Sequence, residues 1–130
     1  MIRIRLTGVM VDDQAKARDF YTRVLGFRIK HDVPLGEFAW LTVTAAGEPD
    51  GPELLLEPNS GIAEAAPFQR ALHEAGIPIA AFAADDLDSE YRRLKELGVR
   101  LAGEPTRPEA GPATLRLDDT CGNWIQLFQA

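Results

Sequence analysis

A chain of 130 residues with 14 Lys and Arg against 20 Asp and Glu carries a formal net charge of −6. That balance argues against a nucleic-acid partner, because phosphate backbones are held by clustered cations. At 45% hydrophobic and 26% charged residues the makeup is that of a soluble globular protein with a real core, and no run of about 18 apolar residues offers a membrane span.

Ile2 to Val11 alternates as a strand, with Leu6, Gly8 and Met10 on one face and Thr7 and Val9 on the other. Asp12 and Asp13 supply oxygens that cap the free amides of a helix start, and Gly26 is the expected left-handed stop. Three strands are predicted next, at Phe27–Val33, Phe38–Ala45 and Glu53–Glu57, with turn chemistry at 47–52 between the last two. Residues 58–61 break the pattern, and Ala63–Ala75 reads as a connecting helix. The order then recurs: a strand near Ile77–Ala84, a helix over Leu87–Leu97, and strands at Arg100–Glu104, Ala113–Asp118 and Trp124–Gln129. Residues 120–123 make the last hairpin turn, with Gly122 free to take a positive φ.

The recurrence is visible residue by residue. Val11-Asp12-Asp13 leads to Leu25-Gly26-Phe27, and Ala84-Asp85-Asp86 leads to Leu97-Gly98-Val99. The glycines are 98 − 26 = 72 apart and the first acids 85 − 12 = 73 apart, so one insertion separates the copies. A unit seen twice at this spacing points to duplication inside one domain. The expected organisation is one domain, 1–130, made of a first module (1–58), a connecting segment (59–75) and a second module (76–130).

On these residues the chain resembles the vicinal oxygen chelate superfamily, which includes glyoxalase I, bleomycin-resistance proteins, extradiol dioxygenases and fosfomycin-resistance enzymes. Its markers are Asp19-Phe20-Tyr21 to Leu25-Gly26-Phe27, Glu53-Leu54-Leu55-Leu56-Glu57, and Asp119-Thr120-Cys121-Gly122-Asn123-Trp124-Ile125-Gln126-Leu127. The last is similar to the family's D-P-D-G-N-x-I-E-L ending. The resemblance implies an α+β fold of two βαβββ modules whose curved sheet surrounds a cleft, with helices outside. It also implies a homodimer.

Metal-dependent members of that family place four ligands in the cleft, and the corresponding positions here are Leu6, Glu57, Ile79 and Gln126. Glu57 alone could bind a divalent cation well. Leu and Ile have no lone pair, and Gln126 offers a neutral carbonyl, whereas metal sites of this kind need three or four N, O or S donors. No cofactor is therefore expected, with a divalent metal as the alternative. His31 and His73 lack the paired spacing of a metal motif and read as solvated surface residues. Cys121, the single cysteine, excludes an internal disulfide, suits a reducing compartment and reads as structural or incidental. With no basic-then-apolar leader, a cytoplasmic protein is expected.

Strand alternation nominates the cleft wall: Phe38, Trp40 and Glu57 from the first module, with Arg116, Trp124, Gln126 and Phe128 from the second. Leu6, Gly8, Met10, Ile79, Ala81 and Ala83 would floor it. A mainly apolar and aromatic pocket with a few polar groups suits a small organic ligand. Glu57 could pair with a ligand cation or take a proton, or Arg116 could be its purely structural partner. Three functions follow as expectations: metal-free binding of a small hydrophobic or aromatic molecule for sequestration, resistance or sensing; a glyoxalase-like lyase, isomerase or dioxygenase with an atypical metal site; and a metal-independent enzyme using Glu57 as general base.

Overall fold

The computed structural model describes residues 1–129. Their elements follow the order β1 (Leu6–Val11), α1 (Gln14–Asp19), β2 (Arg28–Leu35), β3 (Phe38–Thr44), β4 (Glu53–Pro58), α2 (Ala65–Glu74), β5 (Pro78–Ala83), α3 (Leu87–Glu96), β6 (Ala113–Asp118) and β7 (Trp124–Gln129). The protein is α+β, and the chain divides into a unit ending at Gln69 and a unit beginning at Arg70, so the boundary falls inside α2.

In the first unit the strands run β1-β4-β3-β2, with β1 parallel to β4 and the other neighbours antiparallel. One face is dry: Val9, Val11, Leu41, Val43, Leu54 and Leu56 are buried there, and Ala17, Phe20 and Tyr21 of the helical segment are buried with them. Asp13 caps α1, its carboxylate accepting from the amides of Ala15 and Lys16. Beyond α1 the helix widens into a π turn, Phe20–Val24, with Leu25 N–H donating to Phe20 O at 3.1 Å, before Gly26 at φ 81° ends it. The first strand is shorter than the alternation of Ile2–Val11 predicts. Its parallel partner begins at Glu53, opposite Leu6, and the residues before Glu53 form turns, so the ladder starts there.

The second unit has the strand order β5-β7-β6, with β5 parallel to β7 and β6 antiparallel to it. Leu115, Leu117, Ile125 and Leu127 are buried, as are Leu87 and Leu94 of α3. Asp86 caps α3 through the Ser89 amide, and Gln129 Oε1 accepts from Leu87 N–H at 2.7 Å. The strand predicted at Arg100–Glu104 is not a strand. That segment meets β6 only at isolated bridges, Leu101 with Leu117 and Thr106 with Thr114. The reason is local: Gly103 stands at φ 98°, and Pro105 and Pro108 have no amide proton to give a ladder. In the turn before β7, Gly122 takes φ 98° as expected. The buried Asp119 carboxylate accepts from the amides of Cys121 and Asn123 and from the Asn123 side chain.

Candidate functional site

Because side chains alternate along a strand, the face of the first sheet opposite its helix is set by residue parity. Leu6, Gly8 and Met10 of β1, Glu53, Leu55 and Glu57 of β4, and Phe38, Trp40 and Thr42 of β3 share that open face. The register extends it to β2, where His31 is opposite Thr42, Val33 opposite Trp40 and Leu35 opposite Phe38. Phe38 keeps 43% of its surface exposed and Trp40 37%, and Leu6, Val33 and Leu35 are also exposed. Phe38 and Trp40 with Val33 and Leu35 opposite them make a contiguous apolar surface, which marks a binding face more often than scattered exposed residues do.

The two acids of β4 differ in what they touch. Glu53 accepts a hydrogen bond from the Thr42 hydroxyl at 2.7 Å and lies 3.5 Å from His31 Nε2. His31, read from sequence as a solvated surface residue, is half exposed but stands on this face beside Glu53. The Glu57 carboxylate has no hydrogen-bond or ion-pair partner among the described residues of the first unit. It lies over β1: a Cβ at position 8 would stand 2.5 Å from Glu57 Oε1, so only glycine leaves room for it there.

The ladder between β3 and β4 is short. Its pairs are Thr42 with Leu55 and Val43 with Leu54, and the Gln14 side chain serves the strands beyond them. Its amide donates to the carbonyls of Ala39 and Leu56, both at 2.9 Å, and accepts from Ala39 N–H at 3.0 Å. Gln14 thus stands in for a missing strand neighbour where Trp40 and Glu57 emerge on the other face. Sequence reasoning missed Gln14, because the first residue of a capped helix looks solvent-facing. It also missed Val33, Leu35 and His31, which the two-residue rule would have found had it been carried from β3 to β2.

In the second unit Thr114, Arg116, Asp118, Trp124, Gln126 and Phe128 share one face, with Arg116 opposite Gln126 and Thr114 opposite Phe128. Ala81 and Ala83 pair with Gln126 and Phe128 on the other side. Arg116 is exposed and donates through Nη1 to the Gly76 carbonyl. Trp124 is a packing residue, only 8% exposed. Its ring stacks on His73 at 5.3 Å and lies under the Arg100 guanidinium at 5.2 Å, and its Nε1–H donates to the His73 carbonyl at 3.1 Å. His73 is not the solvated residue expected, since its ring also meets Asp118 Oδ2 at 2.9 Å. Cys121 is buried.

The residues at the family's metal positions do not fit a metal. In the first unit Leu6 has no donor atom and Glu57 stands without a second ligand. In the second, Ile79 has none and Gln126 offers a neutral amide. Among the described residues no group of three or more His, Cys, Asp or Glu could hold an ion.

A model of the Glyoxalase/Bleomycin resistance protein/Dioxygenase superfamily matches residues 3–127. Among curated proteins, the uncharacterized protein YurT of Bacillus subtilis (strain 168) is 45% identical over 129 residues, covering 98% of this chain and 99% of its own. Among solved structures, UcmS2 has a TM-score of 0.79 at 31% identity, with 98% of each chain covered. TnmS3, an antibiotic binding protein from Streptomyces sp. CB03234, has a TM-score of 0.68 at 29% identity, covering 99% of this chain and 96% of its own.

Proposed function

Since the chain belongs to the glyoxalase/bleomycin resistance protein/dioxygenase superfamily, we propose that it binds a small hydrophobic or aromatic molecule without the help of a metal ion. One observation carries this reading: Phe38 and Trp40, two large aromatics, stand exposed on the open face of the first sheet beside Val33 and Leu35 of the neighbouring strand. Planar aromatic side chains on a rigid sheet offer a stacking surface at little cost in conformational entropy. The likeness to an antibiotic binding protein supports a binding role, and the absence of donor atoms at Leu6 and Ile79 supports a metal-free one. Sequestration, resistance or sensing is the corresponding role, in a cytoplasmic protein that pairs as a homodimer. Sedimentation equilibrium checks the pairing.

The two tryptophans make the test direct. Replacing Trp124 with Phe leaves Trp40 as the only indole. Flat aromatic compounds titrated into that variant are expected to quench or shift its emission saturably, while a Trp40→Phe protein retaining Trp124 stays silent. A saturable response from Trp124 alone, or none from Trp40 across chemically diverse aromatics, would sink the proposal.

A further inference from the structure

The open face carries two carboxylates, and only one is engaged by its own sheet. Glu53 is occupied by the Thr42 hydroxyl and faces His31, whereas the Glu57 carboxylate lies over Gly8 without a partner in its unit. A half-buried carboxylate set among Leu6, Leu55 and Met10 has lost part of its water and gained nothing in return. Such a group favours a ligand that brings a positive charge.

Resting on the reading that this face binds an aromatic molecule, we infer that its ligand is an aromatic amine, its ring against Trp40 and its protonated nitrogen on Glu57. The spacing limits the ligand's shape. Glu57 leans over β1 and Trp40 rises from β3, with β4 between them, so the two groups stand at least two strand spacings apart, or more than about 10 Å. The basic group therefore sits at the far edge of the ring system or on a short arm, not at the ring's centre. Gly8 is a positioning residue: with no side chain, it gives the carboxylate its resting place. The net charge of −6 acts in the same direction by attracting cations during encounter.

Three probes with one naphthalene ring and different arms separate the terms: an aminoethyl, a hydroxyethyl and a carboxyethyl derivative, titrated by isothermal calorimetry. The wild-type protein is expected to bind the amine about tenfold more tightly than the alcohol, as one charge-assisted hydrogen bond provides, and the acid most weakly. Glu57→Gln should remove the preference for the amine while the alcohol's affinity stays within about twofold. Gly8→Ala, whose Cβ displaces the carboxylate without changing its charge, should narrow the same preference. Equal binding of amine and alcohol by wild type, or a preference that survives Glu57→Gln, overturns the inference and leaves the aromatic reading standing. A preference unchanged in Gly8→Ala overturns the role given to Gly8. If none of the three probes binds, the aromatic reading itself falls.

Discussion

Gln14 shows how much one side chain can carry. Its amide satisfies the N–H and C=O of Ala39 and the C=O of Leu56, three backbone groups that lack a strand partner. Gln14→Ala would leave these partly buried groups to compete for water, at a cost of about 1–3 kcal/mol. Chemical denaturation should read that loss, and Gln14→Glu should recover only the part that depends on accepting from Ala39. A loss no larger than that of an exposed helical residue would show that water replaces the amide freely. The same contrast separates Trp40 from Trp124. Each stands on the face opposite the apolar core side of its sheet, but His73 stacks on the Trp124 ring and the Arg100 guanidinium lies over it, while Trp40 stays exposed.

At the level of elements, the duplicated helices differ by one residue, and the structure shows where it went. The capping acids Asp13 and Asp86 are 86 − 13 = 73 apart, while the closing glycines Gly26 and Gly98 are 98 − 26 = 72 apart. The extra residue therefore lies between cap and stop in the first copy. It is absorbed by the π turn at Phe20–Val24, which fits one more residue into a helical turn. The second copy keeps a regular helix whose start is tied to its cap. The Ser89 hydroxyl and amide both bond the Asp86 carboxylate, the hydroxyl most strongly, and hold its pKa below the usual carboxylate range. A depressed folded-state pKa contributes stability that is present above the unfolded-state value and lost as pH falls through the folded one. Asp86→Ala should thus lower the melting midpoint at neutral pH, and the gap from wild type should close only in acid, below the ordinary carboxylate range. Melts followed by circular dichroism over a pH series check this; a gap that is constant with pH would assign the loss to helix propensity instead.

For the whole molecule, membership of the superfamily brings an expectation of metal that the residues do not support. Leu6 and Ile79 offer no lone pair where ligands would stand. Protein purified without tag or chelator should contain far less than one zinc, nickel, iron or manganese per chain by elemental mass spectrometry. Adding each divalent ion should leave the melting midpoint in place. Near-stoichiometric metal, or a large shift with one cation, would mean that donors outside the family positions build a site, and would return the lyase and dioxygenase readings.

Much of this was legible in the chain because it depends on short-range rules. Parity along Glu53–Glu57 and Phe38–Trp40 set which residues share a face. Asp13, Asp86, Gly26 and Gly122 announced caps and turns through their own conformational preferences. That Leu6 and Ile79 carry no lone pair is likewise a property of the residues themselves in any fold. What the tertiary structure alone decided was partnership between residues far apart in sequence. Glu53 is engaged by Thr42 and His31 while Glu57 is not, Gln14 bridges strands 25 and 42 residues away, and His73 covers a tryptophan 51 residues on. Periodicity fixes only the face on which a side chain emerges. Which group meets it there depends on strand order and register, and those follow from how the sheet assembles.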